Sequence, residues 1–118
     1  MKRIAVFIAS GSGMGADAAK RLSKKGYKIA IMSSSGKGEK LAKKLNGFGF
    51  TGSNLIFSDL EKFIELVLKK YGKIDVLVNS AGHGPKGDIL KFSDKDWYDG
   101  METYFLNVVR SSRLVTPI

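Results

Sequence analysis

The residues of this chain best placed to do chemistry form a glycine-rich turn, Ser10-Gly11-Ser12-Gly13-Met14-Gly15, with Ala9 in front of it. An apolar run from Ile4 to Ala9 leads in, and an alanine-rich helical pattern leads out. At such a hand-over, backbone N–H groups and a helix N-terminus face outward with no Cβ in the way, which suits a diphosphate. About 20 residues on, where dinucleotide-binding units read the ribose, a second apolar run (Ile29 to Met32) ends in Ser33-Ser34-Ser35, with Lys37 close behind. Hydroxyls and an ammonium at that place either bind a further phosphate or simply make a polar turn. A third polar stretch, Asn79-Ser80-Ala81-Gly82-His83-Gly84-Pro85-Lys86-Gly87, follows the apolar run Ile74 to Val78. In open α/β sheets ligands bind at that edge; His83 reads as a loop histidine ahead of a catalytic one. With no cysteine and one histidine, the chain offers no disulfide, no thiol chemistry and no metal site.

The elements that must position these residues alternate. A strand from Ile4 to Ala9 precedes a helix from Gly13 to about Lys25, whose Ala16, Ala19, Leu22 and Ser23 make a narrow inward stripe and which Gly26 ends. Tyr27 to Ser33 reads as the second strand, Glu39 to Leu45 as a short helix stopped at Asn46-Gly47, and residues 48–54 as a glycine-diluted third strand. Asp59 to Tyr71 is a clear helix, with Ser58 as its expected N-cap, Gly72 as its stop and Leu60, Phe63, Ile64, Val67, Leu68 and Tyr71 inward. Ile74 to Val78 suits a buried parallel strand. A last helix opens at Ser93 or Asp94 and runs to Thr116, with Trp97, Met101, Tyr104, Phe105, Val108 and Ser112 on one face and Trp97 expected in the core. This βαβαβαβ order implies an α/β fold with a Rossmann-type, doubly wound parallel sheet of about four strands.

A chain of 118 residues holds one modest domain, so residues 1–118 are read as a single unit. Hydrophobic residues make up 43% and charged residues 26%, and no apolar run approaches the ~18 residues of a membrane span. The basic residues before the first apolar run lead into a glycine turn and not a cleavage site, so Met1 is read as the natural start of a cytoplasmic protein. The formal charge of +9 has two readings, an anionic partner or solvated helix faces; Lys24, Lys25, Lys40, Lys43, Lys44, Lys69 and Lys70 all fall on expected helices and favour the second. No basic run with interleaved aromatics suggests nucleic acid.

Three matches in order make the chain resemble the short-chain dehydrogenase/reductase family, whose members are Rossmann-type NAD(P)-dependent oxidoreductases. The family's Thr-Gly-x-x-x-Gly-(Ile or Leu)-Gly lies over Ile8 to Gly15, with Gly13 and Gly15 matching, Ile8 replacing the threonine and Ala9 the first glycine. Gly11 is expected to take over the sharp turn from Ala9. Gly72-Lys73-Ile74-Asp75-Val76-Leu77-Val78-Asn79-Ser80-Ala81-Gly82 resembles the family's fourth strand and its Asn-Asn-Ala-Gly end, with only Ser80 departing. Trp97 followed by Asn107 resembles the helix that carries the family's catalytic asparagine.

The resemblance implies a set of site residues. Ala9, Ser10, Gly11, Ser12, Gly13, Met14 and Gly15 would hold the diphosphate; Asn54 and Leu55 the adenine; Asn79, Ala81 and Gly82 the adenosine side; and Asn107 would order a catalytic water. A carboxylate that would mark NAD is missing after the second strand, so Ser33, Ser34 and Lys37 suggest NADP, with NAD possible. The family's proton donor sits in Tyr-x-x-x-Lys, and none of Tyr27, Tyr71, Tyr98 and Tyr104 has a lysine four residues on. The chain is therefore expected to be the cofactor-binding half of an oxidoreductase acting on a small carbonyl or alcohol, inactive alone; the alternative is a non-catalytic NADP-binding or interaction module. A homo-oligomer through the 94–116 helix is implied by the same resemblance.

Overall fold

Ile4 to Ile8 of the first apolar run are buried in the computed structural model, which describes residues 2–118. Met1, taken above as the natural start, lies outside the described residues. Strand β1 (Ile4–Ile8) is flanked by β2 (Lys28–Ser33) and β4 (Val76–Asn79), and β3 (Phe48–Thr51) lies beyond β2. The order is β3-β2-β1-β4 and every pairing is parallel, with Val6 opposite Ala30 on one side and Leu77 on the other. The parallel four-stranded sheet read from the alternation is the one observed.

Because side chains alternate along a strand, β1 feeds two cores. Ile4, Val6 and Ile8 join Ala30 and Met32 under helix α3 (Phe57–Tyr71), against Leu60, Phe63, Ile64 and Val67. Ala5 and Phe7 join Ile29 and Ile31 on the opposite face, against Ala16 and Ala19 of α1 (Gly13–Lys24) and Leu41 and Ala42 of α2 (Lys37–Lys44). Helices on both faces are what a doubly wound sheet requires. Phe63 stacks between Phe48 and Phe50, at centroid distances of 6.3 and 5.8 Å. Gly49, which diluted the third strand in the sequence, has a packing reason: a Cβ there would lie 2.5 Å from the Cα of Glu39, so its absence lets α2 close on β3. The lysines of the expected helix faces are all exposed.

Several boundaries differ from the sequence reading. Strand β1 stops at Ile8 because Ala9 turns to a left-handed φ of 55°. Helix α3 starts at Phe57 with Ile56 as its N-cap, two residues before Asp59, so Ser58 is inside the helix and caps nothing; the Asp59 carboxylate instead accepts from the backbone N–H of Ser53 at 2.9 Å. Strand β4 begins at Val76, because Asp75 is used as a clamp. Its backbone N–H donates to the Ile4 carbonyl at 2.9 Å, and its carboxylate accepts from the Ile4 N–H at 2.7 Å. That backbone donor, with Lys73 beside it, holds the Asp75 carboxyl below its ordinary range.

The largest departure is the last helix. It runs as α4 (Asp94–Gly100), a π-helical stretch (Met101–Leu106) and α5 (Asn107–Val115), opened by a Ser93–Asp96 capping box. Thr103, Asn107 and Ser111 are buried, while Trp97, Met101, Tyr104, Phe105 and Val108 are exposed. The expected apolar face is thus turned outward, and Trp97, expected in the core, is 53% exposed and meets Phe92 edge-on. Periodicity groups side chains on a face without saying which face docks, and here the hydrogen bonds of Asn107 and Ser111 to Ser80 and Asn79 turn the polar face toward the sheet.

Candidate functional site

The carboxyl ends of β1, β2 and β4 open on a cleft of about 470 Å³. Ala9, Gly11, Ser12, Gly13 and Met14 line it from the first turn, Ser33, Ser34 and Ser35 from the second, Asn54 from beyond β3, and Ser80, Ala81, Gly82 and His83 from beyond β4. A larger hollow of about 780 Å³ runs along α1 between Asp17 and Lys25. It gathers side chains from one helix only, whereas the cleft draws on four separate loops, as a binding site does.

The first turn is built around Ala9 and Ser10. Ala9 itself takes the left-handed conformation and Gly11 does not, so the expectation that Gly11 would relieve Ala9 is corrected. Ser10 is buried beneath the cleft, its hydroxyl donating to the Ile8 carbonyl at 2.9 Å and its N–H to the Met32 carbonyl at 3.2 Å. Gly15 rests on it: a Cβ at Gly15 would lie 2.5 Å from the Ser10 Oγ. Ser10 and Gly15 therefore set the turn without lining the cleft. Ser12 is the N-cap of α1, yet its side chain caps nothing, so the first N–H groups of the helix keep their capacity to meet an anion.

Asn54 supplies a separate sign of a missing partner. Its side-chain nitrogen is buried with no hydrogen bond among the described residues. A buried amide without a partner is costly, and one on the wall of a cleft fits a polar ligand such as an adenine ring. Leu55 points elsewhere: it is exposed and borders, with His83, a second hollow of about 520 Å³. Lys37 is likewise outside the cleft, at the first turn of α2. It lines an adjoining groove of about 320 Å³ with Lys20, Lys40 and Lys44, and that groove shares Gly11, Ser12 and Gly13 with the cleft.

Asn79 and Asn107 form one network behind the cleft. The Asn79 side-chain oxygen Oδ1 accepts from the Ser111 hydroxyl at 2.6 Å, and the Asn107 backbone carbonyl lies 2.8 Å from the same hydroxyl and shares its one proton. The Asn107 amide nitrogen donates to the Ser80 carbonyl at 2.9 Å. Asn107 is 1% exposed, and its Oδ1 is buried without a partner. Asn79 does not line the cleft; it sits in β4, opposite Ile8, and ties that strand to the helix.

A protein-family model described as short chain dehydrogenase matches residues 3–118. The chain belongs to that family. The 3-oxoacyl-(acyl-carrier-protein) reductase of Buchnera aphidicola subsp. Schizaphis graminum is 33% identical over 119 residues, covering 97% of this chain and 48% of that protein. The Escherichia coli K12 protein of the same description is 28% identical over 116 residues, 96% of this chain and 48% of that one. A variant of actinorhodin polyketide ketoreductase, solved with NADPH, superposes with a TM-score of 0.88 at 27% identity, over 96% of this chain and 46% of that one. The L-sorbose reductase of Gluconobacter frateurii, at 24% identity and a TM-score of 0.90, shares the fold. This short-chain dehydrogenase chain spans about half the length of the curated relatives it matches.

Of the residues read as cofactor-binding, the cleft thus brings together Ala9, Gly11, Ser12, Gly13, Met14, Ser33, Ser34, Asn54, Ala81 and Gly82. Ser35, Ser80 and His83 line it as well without having been chosen. The serine triplet was a signal for Ser35, and the departure from Asn-Asn-Ala-Gly was one for Ser80. Ser111 had no signal, because a serine in an amphipathic helix reads as surface.

Proposed function

We propose that this chain forms the dinucleotide-binding part of an NADP-dependent oxidoreductase interconverting a small carbonyl compound and its alcohol. One observation carries the reading: a four-loop cleft joins a glycine turn at a helix N-terminus to an unpartnered buried amide, Asn54, on the opposite wall. Bound there, the nicotinamide would supply or accept the hydride. The backbone from Gly11 to Met14 and the open end of α1 hold the diphosphate. Asn54 meets the adenine, and Ser34, Ser35 and Lys37 bias the ribose end toward a 2′-phosphate. NADPH in the related ketoreductase structure supports this choice. Asn107, kept buried by Ser80 and Ser111, offers its free Oδ1 to a water that relays protons.

The proton donor lies outside these 118 residues, since no tyrosine is followed by a lysine four positions on. Residues 1–118 act as a single cofactor-binding domain in this reading. The exposed face from Trp97 to Val108 serves homo-oligomerisation through the 94–116 helix, and the compartment is the cytoplasm. No described helix is long and apolar enough to cross a membrane.

Calorimetric titration with NADPH and NADH, paired with thermal melting, tests the reading. Saturable binding that raises the melting temperature, with NADPH the tighter, is the expected result. A folded chain that binds neither dinucleotide overturns it. The missing Tyr-x-x-x-Lys also favours a second reading, a non-catalytic NADP-binding module, which predicts binding without turnover of any carbonyl substrate by the full-length protein.

A further inference from the structure

All of the chain's net charge sits at one end of the sheet. Each helix that hands over to a strand ends in a basic pair: Lys24 and Lys25 at the end of α1, Lys43 and Lys44 at the end of α2, Lys69 and Lys70 in the last turn of α3. In an alternating fold with a parallel sheet those ends fall where the strands begin, opposite the cleft. Lys2, Arg3, Lys28 and Lys73 join them from the strand starts themselves. Contacts tie these segments together: the Lys28 N–H donates to the Arg3 carbonyl at 2.8 Å, the Lys28 ammonium donates to the Asn46 carbonyl at 3.3 Å, and the Lys70 ammonium lies 6.0 Å from the Phe48 ring centre. These ten basic residues meet one acid, Asp75, which the Ile4 N–H and Lys73 already engage. The other ten basic residues of the chain are matched by ten acidic ones, so the formal charge of +9 belongs to this end alone. Lysines in a last turn complement the helix dipole, but Lys2, Arg3, Lys28 and Lys73 belong to no helix. Solvated helix faces therefore leave the segregation unexplained.

We propose that this end of the sheet is an electrostatic docking face for an anionic membrane surface, holding the protein at a bilayer with its cleft turned to solvent. The face is level: the strand starts stagger by at most two residues, about 7 Å. A plane of headgroups meets all of these cations at once, whereas the convex phosphate surface of a nucleic-acid duplex meets only a strip of them. Nine of the ten are lysines, point charges without the forked geometry with which arginine grips a phosphate or a base edge. Apart from Lys73 none of them is ion-paired among the described residues, so their attraction is not spent within the chain. Among residues 2–3, 24–28, 43–48 and 69–75, which form this end, no large hydrophobic side chain is exposed. Nothing is built to insert into the bilayer, and the contact stays at the headgroups. A hollow of about 420 Å³ between Lys2, Arg3, Lys25, Gly26 and Tyr27 opens on the same end and seats one headgroup among three cations.

Flotation of the full chain with phosphatidylcholine vesicles that carry about one third phosphatidylserine tests the proposal. The chain is expected to float with them at about 0.1 M salt, to stay behind with pure phosphatidylcholine, and to be released at about 0.5 M salt, because exposed charges are screened. Two double variants, Lys24→Gln with Lys25→Gln and Lys43→Gln with Lys44→Gln, each weaken partitioning roughly 10- to 30-fold. Lys86 and Lys91 are exposed beyond β4, at the other end of the sheet. Lys86→Gln with Lys91→Gln removes the same charge there and leaves partitioning within about twofold, because those sites lie away from the bound surface. Equal losses in all three double variants would assign the binding to net charge and overturn the proposal. Binding that ignores phosphatidylserine, or none to anionic vesicles at low salt, overturns it too; retention on duplex DNA in that second case would give the face to nucleic acid. No residue of the cleft takes part, so the outcome is independent of whether the chain binds a dinucleotide.

Discussion

Residues 4–71 and residues 72–118 bury opposite kinds of side chain. The first region holds the centre of the sheet: β2 lies between β1 and β3, β1 is covered on its other edge by β4 of the second region, helices cover both faces, and Ile4 to Ile8 and Ile29 to Met32 are almost fully buried apolar residues. In the second, β4 is an edge strand whose Val76 to Asn79 are only half-buried, and the helix beside it buries Thr103, Asn107 and Ser111 while exposing six large hydrophobic residues. The inner helix face is held by hydrogen bonds to Asn79 and Ser80, and at its end by Leu114 and Val115 packed against the first core. The first region thus carries the core, and the second ties a polar helix face to β4 beside the cleft and leaves its apolar side exposed. An exposed patch of this kind marks a surface meant to be covered.

Substitutions that remove one side chain at a time would break or sharpen that contrast. Phe63→Ala, in the first region, empties a fully buried site between two stacked rings and is expected to cost about 3–5 kcal/mol; urea denaturation followed by circular dichroism measures it. Ser111→Ala is next. It leaves the half-buried Asn79 Oδ1 without its donor and is expected to cost about 0.5–1.5 kcal/mol. If its denaturation midpoint matched that of wild type, the second region would not be hydrogen-bond-held at all. Ala9→Gly has the opposite sign. It removes a left-handed Cβ costing roughly 1–2 kcal/mol and adds unfolded-state freedom of about 0.4–1 kcal/mol, so a rise in melting temperature is expected. Smallest is Trp97→Ala, expected to change stability by about 0.5 kcal/mol or less, because the ring is half in solvent and meets only Phe92 edge-on. A cost like that of Phe63→Ala would show that Trp97 is covered in solution, and sedimentation velocity would identify a second copy as the cover.

Ala9 and the last helix show how far the chain could be read in advance. A glycine missing from a motif suggested that a neighbour would turn in its stead, but the turn position is fixed by where β1 ends and α1 begins. Ala9 therefore bears the positive φ, and Gly11 is kept small for Ser33 and Gly38. Helical periodicity marked Trp97, Met101, Tyr104, Phe105 and Val108 as one face correctly. It could not say which way that face looks, because periodicity counts apolar side chains and is blind to what stands opposite. The hydrogen bonds to Asn79 and Ser80 made that choice.

The sequence alone determined the order of elements, the parallel sheet and most of the cleft wall. Apolar runs of strand length between helical patterns admit few other arrangements, and loops at the carboxyl ends of such strands must converge. Only the tertiary structure decided which of those loop residues keep a group free for a ligand. Ser33 and Ser34 are indistinguishable as letters. The buried hydroxyl of the first is consumed by Gly38 and Ser35, while the second stands open on the cleft, and that difference exists only once β2, α2 and the glycine turn are packed together.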